Sequence, residues 1–369
     1  MPVHSCRLLA TRKEAEGFPQ GQLRLALCTS CGFITNTAYE PELQSYFESY
    51  EETQGFSPRF RQFAHELAQR WVDRYDLKGK DVLEIGCGKG EFLLLMCELT
   101  GGRGVGIDPS VVFERVSSPA ADRVEFVKDL YDERYAHLAG DAVICRHTLE
   151  HIHPVAEFLR MIRRSLDSHP ETIVLFELPD VLRVLRECAF WDIYYEHCSY
   201  FTPGSLARLF RASGFEVLAV ELDYDDQYIL VEALPGLEAR AALPIEEEPG
   251  AVADAVAEFT RNLAAAQERW RTELGSVRGG GGTTAVWGSG SKGVAFLTTL
   301  GLGEEVSAVV DINPYKQGKY MAGTGHEIVA PDTLRALQPD LVVAMNPVYQ
   351  DEIQHELDTL GLDARLEAV

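Results

Sequence analysis

Residues 82 to 90 read Val-Leu-Glu-Ile-Gly-Cys-Gly-Lys-Gly, and residues 104 to 109 read Gly-Val-Gly-Ile-Asp-Pro. The first segment predicts a buried strand that runs into a glycine turn and then a helix from near Glu91. The second predicts the next parallel strand, with a carboxylate, Asp108, at its end. The interval from Gly90 to Asp108 is 108 − 90 = 18 residues, the length of one helical crossover plus a strand. Glycines at 86, 88 and 90 let the backbone approach a ligand without an intervening Cβ. An acid at the tip of the second strand can bind a ribose diol through two hydrogen bonds. A dinucleotide site fits less well, because Glu84 stands inside the strand just before the glycines. A tight strand-helix turn without a ligand is the bland alternative.

The 369 residues suffice for two or three domains. With 57 acids against 34 Lys and Arg, the net charge is -23. Such a surface repels phosphate backbones, so nucleic acid is not an expected partner. No apolar run approaches the roughly 20 residues of a membrane span. The start Met-Pro-Val-His-Ser-Cys lacks a signal-peptide core. Eight cysteines without a secretion signal argue for a reducing compartment. A cytoplasmic protein is expected, and its oligomeric state is left open.

The chain divides into four stretches. Residues 1–55 form a small unit that ends in Tyr46-Phe47-Glu48-Ser49-Tyr50-Glu51-Glu52. Residues 56–236 open with an amphipathic helix and continue in strand-helix alternation. Strands are expected at 124–127, 141–145, 172–176, 215–220 and 228–231, a rhythm that suits a doubly wound α/β sheet. Residues 237–280 give a linker and then a helix, with Val252, Val256, Phe259, Leu263, Ala266, Trp270 and Leu274 on one apolar stripe. Residues 281–369 give a second, smaller Rossmann-like unit, with strands at 284–287, 306–311 and 341–345.

Four further clusters can carry chemistry. Cys28-Thr29-Ser30-Cys31-Gly32 is a knuckle that presents two thiolates to zinc; Cys6 and His4 are the nearby candidates to complete four ligands. A zinc-free knuckle held by its own packing is the competing reading. Gly288-x-Gly290-x-x-Gly293 follows a strand and should open a helix whose amides could bind a phosphate, with Lys292 adding charge. Asp311 ends the next strand, and Lys316, Gln317, Lys319 and Tyr320 lie just beyond as a polar clamp. That turn fits a nucleotide-bearing substrate, a second dinucleotide, or a purely structural role. His147-Thr148-Leu149-Glu150-His151 follows the fourth strand, where open sheets face their ligands. Trp191 to Phe201 is the densest polar-aromatic cluster; it includes Tyr194, Tyr195, Glu196 and His197.

The Glu84–Gly90 segment and Asp108 resemble motifs I and II of class I S-adenosylmethionine (SAM) methyltransferases. The chain as a whole resembles the SAM-dependent sugar C-methyltransferases of deoxysugar biosynthesis. The match is carried by Cys28-x-x-Cys31-Gly32, Glu84 to Gly90, Thr148-Leu149-x-His151-Ile152, Tyr194-x-Glu196-His197-x-x-Tyr200-Phe201, Gly288-x-Gly290-x-Lys292 and Asp311-x-Asn313-Pro314-x-Lys316-Gln317. The resemblance implies a small zinc-binding N-terminal module, a class I methyltransferase domain, a C-terminal Rossmann-like domain and a nucleotide-linked ketosugar substrate. It carries the cofactor-binding set to Glu84, Gly86, Gly88, Gly90, Asp108, Asp129 and Arg146. It makes His197 the base and surrounds the substrate with Tyr194, Glu196, His151 and Tyr50. Glu196 is expected to orient the His197 ring, and Gly288, Gly290, Lys292, Asp311, Lys316 and Gln317 to hold the substrate. Two departures stand out: the first N-terminal knuckle is missing, and Thr53-Gln54-Gly55-Phe56-Ser57 replaces the family's His-Ser-Ser stretch. The chemistry expected is methylation of carbon next to a carbonyl. O- or N-methylation of a small natural product, and a catalytically silent SAM- or nucleotide-binding partner, are the alternatives.

Overall fold

The computed structural model describes residues 1–44, 49–115, 117–236 and 241–369. The expected stretch Tyr46-Phe47-Glu48 and the start of the 237–280 connection lie outside these residues. Near the N-terminus, β1 (Leu25–Leu27) and β2 (Ile34–Asn36) form an antiparallel hairpin. The next strands are β3 (Val82–Ile85), β4 (Gly104–Ile107), β5 (Val124–Val127), β6 (Ala142–Arg146), β7 (Ile173–Pro179), β8 (Ser199–Tyr200), β9 (Phe215–Asp223) and β10 (Tyr228–Pro235).

Seven of these build one sheet in the order β5-β4-β3-β6-β7-β10-β9. Strands β3 to β7 are parallel, and β10 runs antiparallel to both β7 and β9. A central parallel strand is covered on both faces, which is why β3 reads as an almost continuous apolar run. Leu83 and Ile85 join the core beneath Phe158, Leu159, Leu206 and Phe210. Val82 joins the opposite core with Phe63, Leu67, Trp71, Phe92 and Met96. The order of connection reverses between β3 and β6, so a crevice opens at the carboxyl ends of those strands.

The helix Pro58–Arg74 begins where Ser57 accepts a hydrogen bond from the Phe60 amide and Pro58 takes the first turn, where it costs no bond. Phe63, Leu67 and Trp71 recur every four residues on its buried face. Trp71 is fully buried, and its Nε1 donates to Glu232 at 2.9 Å. Truncation to Ala is expected to cost about 3–5 kcal/mol, the range for a large aromatic lost from a core. Chemical denaturation of Trp71→Ala checks this; a midpoint equal to wild type would contradict it.

A second sheet is all parallel: β11 (Thr284–Trp287), β12 (Ala308–Val310), β13 (Ile328–Val329), β14 (Leu341–Ala344) and β15 (Arg365–Ala368), in the order β13-β12-β11-β14-β15. Its order reverses between β11 and β14, giving a second crevice. The 31-residue helix Pro249–Gly279 precedes it, about 46 Å long at 1.5 Å per residue. The expected stripe is its buried side: Val252, Phe259, Trp270 and Leu274 lie in a core shared with Val181 and Leu185 of the first unit and Phe296 of the second. The helix therefore glues the two sheets together.

The N-terminal hairpin is joined to the first unit, because β2 pairs with β8 after the fifth parallel strand. The described part of the connection before the long helix is docked. Glu246 pairs with Arg211, and Glu247 accepts from the Gly204 amide at 3.0 Å and from the Thr202 hydroxyl. Among the described residues no helix is long and apolar enough to cross a membrane.

Candidate active site

The glycine turn after β3 has positive φ at all three positions: 72° at Gly86, 54° at Gly88 and 85° at Gly90. An L side chain would be strained in each, and a Cβ would also meet a neighbour in each, at Gly88 the Glu52 carboxylate at 2.7 Å. A Cβ on Gly86 would sit 2.0 Å from Thr148 Oγ1, and one on Gly90 would sit 2.4 Å from the Phe126 ring. Gly90 thus serves packing, whereas Gly86 and Gly88 line a cavity. Asp108 braces the turn: Oδ2 accepts from the Gly88 amide at 2.9 Å and Oδ1 from the Ser110 amide at 2.6 Å. Glu84, Asp129 and Arg146 line the same cavity. Arg146 is tied to Glu177 at 2.6 Å and lies over the Phe92 ring at 3.8 Å. Asp129 accepts from Tyr135 at 2.6 Å and from Arg134 at 2.9 Å.

The cavity measures ≈ 1320 Å³ and runs without a break to His151, Tyr194, His197 and Tyr50, and on to Gly288, Gly290, Lys292, Asp311 and Lys316. The His197 ring lies 4.1 Å from the Tyr194 ring and 4.8 Å from the His151 ring, between centroids. Burial, with the neighbouring His151 and His147, pushes the His197 pKa well below its ordinary value, so the ring is neutral near pH 7. Glu196 does not orient it. That carboxylate is fully buried and turned toward the N-terminus, where it meets His4 Nδ1 at 3.1 Å and the Ser5 amide at 2.9 Å. Residues 195 and 196 form a turn, which sends consecutive side chains in different directions.

Sequence reasoning passed over two participants in the cluster it had outlined. Glu150 is 2% exposed, yet neither oxygen has a hydrogen-bond partner among the described residues. His147 carries φ of 47°, uncommon for a residue other than glycine. Its Nε2 meets Glu177 Oε1 at 2.8 Å and its Nδ1 lies 3.7 Å from Glu150. Burial alone would lower its pKa; Glu177 and Glu150 outweigh that and hold it up at about 9. Glu177 in turn is drawn down to about 2, because Arg146 and His147 outweigh its burial. A composition of acids and histidines at one strand end was the only available signal, and it names no partner.

The second turn is built like the first. Asp311 at the end of β12 accepts from the Ser289 amide at 3.1 Å and the Ser289 hydroxyl at 2.5 Å. Its neighbour Lys316 pairs with Asp311 at 3.4 Å. Gln317 does not line the cavity; its Nε2 donates to the Asp311 carbonyl at 3.0 Å. Lys292, expected to add free charge, is matched instead by Asp192 at 3.0 Å and Gln227 at 3.2 Å, across the crevice on the first unit. Gln227 and Asn346 exchange two amide bonds of 2.9 and 3.0 Å. Glu51 binds Arg115 at 2.6 Å and Asn313 at 2.9 Å on the other flank. Both crevices therefore open into one cleft.

The expected zinc ligands are not brought together. Cys28 and Cys31 sit in the β1–β2 turn, exposed and half-buried. Cys6 is buried on the cleft wall with Sγ 3.5 Å from Ser291 Oγ, and His4 is engaged by Glu196. The reason is topological: the chain before β1 crosses to the second unit, where Leu9 bridges Tyr320 in the connection between β12 and β13. The described residues hold one cluster of three or more ligating side chains within reach of a single ion, Glu150, His151 and His197, far along the chain from the knuckle.

Residues 58–220 match a family model described as a methyltransferase domain, and residues 238–362 match a C-methyltransferase C-terminal domain. Among curated proteins, the C-methyltransferase NovU of Streptomyces niveus is 30% identical over 371 residues, covering 94% of this chain and 85% of that protein. This chain belongs to the C-methyltransferase family. Solved structures with a partial likeness include a 1,6-didemethyltoxoflavin N1-methyltransferase of Burkholderia thailandensis. It is 18% identical at a TM-score of 0.35, over 47% of this chain and 78% of that one. A SAM dependent methyltransferase of Aquifex aeolicus is 18% identical at 0.37, over 48% of this chain and 94% of that one. These likenesses are too remote to add to the strand order.

The C-methyltransferase has a buried group that suits its cofactor. Glu84 is 2% exposed and its Oε2 has no hydrogen-bond donor among the described residues. Burial raises its pKa to about 8, against the opposing pull of Arg146. An ammonium would supply the missing donor, and the methionine part of SAM carries one. Pairing favours the ionised carboxylate, so binding at pH 7 should expel on the order of one proton from Glu84. Affinity for S-adenosylhomocysteine (SAH), which carries the same ammonium, should rise as pH approaches 8. Calorimetry in buffers of different ionisation enthalpy reads that proton, and Glu84→Gln should abolish its release. Equal release in both proteins would assign the proton elsewhere.

Proposed function

We propose that this methyltransferase alkylates carbon next to a carbonyl on a nucleotide-linked ketosugar, with His197 as the base. The observation that carries the reading is the single cleft that joins the Gly86–Gly88 turn, the His151–Tyr194–His197 cluster and the Gly288–Gly290 turn. A cleft with a ligand turn on each wall suits two ligands that must meet. The relative's name supports carbon as the atom methylated.

Bound SAM supplies the methyl group on a sulfonium that leaves as a neutral thioether. The protein's residues do the rest. Gly86, Gly88, Asp108 and Glu84 hold the donor, with Asp129 and Arg146 beside them. Amides of the Gly288–Gly290 turn and Lys316 hold the nucleotide end of the acceptor. Lys292 reaches across to Asp192 and so helps fix how closely the walls approach. His197 is neutral and can accept a proton from the carbon next to the carbonyl. The electron pair left behind moves onto the carbonyl oxygen, where Tyr194 and His151 can donate hydrogen bonds; a well-aimed donor of this kind is worth about 3–4 kcal/mol. Burial keeps the Tyr194 hydroxyl protonated. Tyr50 borders the same space. Alignment of the two walls is the main contribution the fold makes to rate.

The test is a panel of nucleotide-linked ketosugars incubated with enzyme and SAM in heavy water. The expected result is methylated product from at least one, and deuterium at the adjacent carbon of recovered substrate. Methyl transfer to oxygen or nitrogen without carbon exchange would refute the reading.

A further inference from the structure

The reading of His197 as base leaves a problem. A ring whose basicity is lowered by burial is a weak acceptor, and the glutamate next to it in sequence faces away. Glu150, not used so far, lies on the other side. It is buried, it borders the cleft, and neither oxygen has a hydrogen-bond partner among the described residues. His197 Nε2 is 4.0 Å from Glu150 Oε1. The ligating atoms of Glu150, His151 and His197 all fall within 4.8 Å of one another. A buried carboxylate with unfilled acceptor sites costs free energy unless a donor reaches it. His147 Nδ1 lies slightly nearer to Glu150, at 3.7 Å, but that ring is already held by Glu177 through Nε2 at 2.8 Å.

We propose that Glu150 is the positioning residue of the base: its carboxylate accepts the Nε2–H of His197 and thereby leaves Nδ1 as the bare, basic nitrogen. In neutral imidazole one nitrogen donates and the other accepts, and the bond made by one decides the role of the other. When Nδ1 takes the proton from the substrate carbon, the electron pair stays with the substrate and the ring becomes a cation. Glu150 then faces a full positive charge across the proposed bond. The carboxylate itself transfers no proton. This rests on His197 being the base.

The experiment needs no substrate. Ring ¹⁵N spectra are recorded on the full chain labelled at its ten histidines, with SAH added. His197→Asn identifies the His197 signals. Wild type is expected to show Nε2 protonated and Nδ1 bare. Glu150→Gln keeps the shape but weakens the acceptor, so the two tautomers should mix; Glu150→Ala should lose the preference. An Nδ1–H tautomer in wild type, or one population in all three proteins, would overturn the proposal. These spectra report the contact alone. Failure of the base assignment itself would appear as undiminished turnover in His197→Asn, which the spectra cannot mimic.

Discussion

His197→Asn should lower turnover by roughly 10²–10⁴, the usual worth of a general base, and leave SAH affinity nearly unchanged. Asparagine keeps a similar size and some hydrogen bonding but has no titrating nitrogen. The glycine turn proposed for the cofactor lies at the ends of β3 and β4, whereas His197 sits between the turn at 195–196 and β8. The two functions are therefore separable. Turnover is measured on whichever ketosugar the panel identifies, and SAH binding by calorimetry. Turnover near wild type would remove His197 from the chemistry. Weakened SAH binding in a folded variant would point to positioning, and would move the base to His151, whose ring is 4.8 Å away.

The second large effect is expected at Asp108. Asp108→Ala removes the acceptor of two turn amides, Gly88 and Ser110, and the acid assigned to the ribose diol. A carboxylate has room for about four donors, so bracing the turn does not prevent it from also binding hydroxyls. Loss of charge-assisted bonds costs about 1.5–3 kcal/mol, which corresponds to about 10- to 150-fold in Kd for SAH. Asp108→Asn keeps one acceptor oxygen and should lose less. Unchanged calorimetric affinity in Asp108→Ala would withdraw Asp108 from the cofactor site.

Much of this was readable from the chain. Periodic features were read well because local physics fixes them. The Val82–Gly90 strand and turn, the second turn at Gly288–Gly293 and the stripe from Val252 to Leu274 all fall where spacing puts them. What failed was direction and distance. Nothing in Tyr-Glu-His reveals that Glu196 and His197 turn opposite ways. Proximity in sequence made Cys6 and His4 look like partners for Cys28 and Cys31; the fold instead pairs His4 with Glu196, 192 residues on. Lys292 reads as a free cation until Asp192 is found opposite. Strand β15, Arg365-Leu366-Glu367-Ala368, is short, lies at the sheet edge and is nowhere fully buried, so its apolar signal is faint.

The route of the first ten residues has a consequence for biosynthesis. His4 waits for Glu196, Cys6 for Ser291, and Leu9 for Tyr320. On a ribosome adding about 5–20 residues per second, the 320 − 9 = 311 residues that separate Leu9 from Tyr320 take roughly 15–60 s to make. Residues 2–8 can meet Pro19, Gln20 and the Ser49–Glu51 segment early, and the glycine turn and helix around residue 90 can form, but the contact of Leu9 with Tyr320 has to wait for that whole interval. The side of the cleft wall that Cys6 shares with Ser291 is thus completed late, after the second unit has been made.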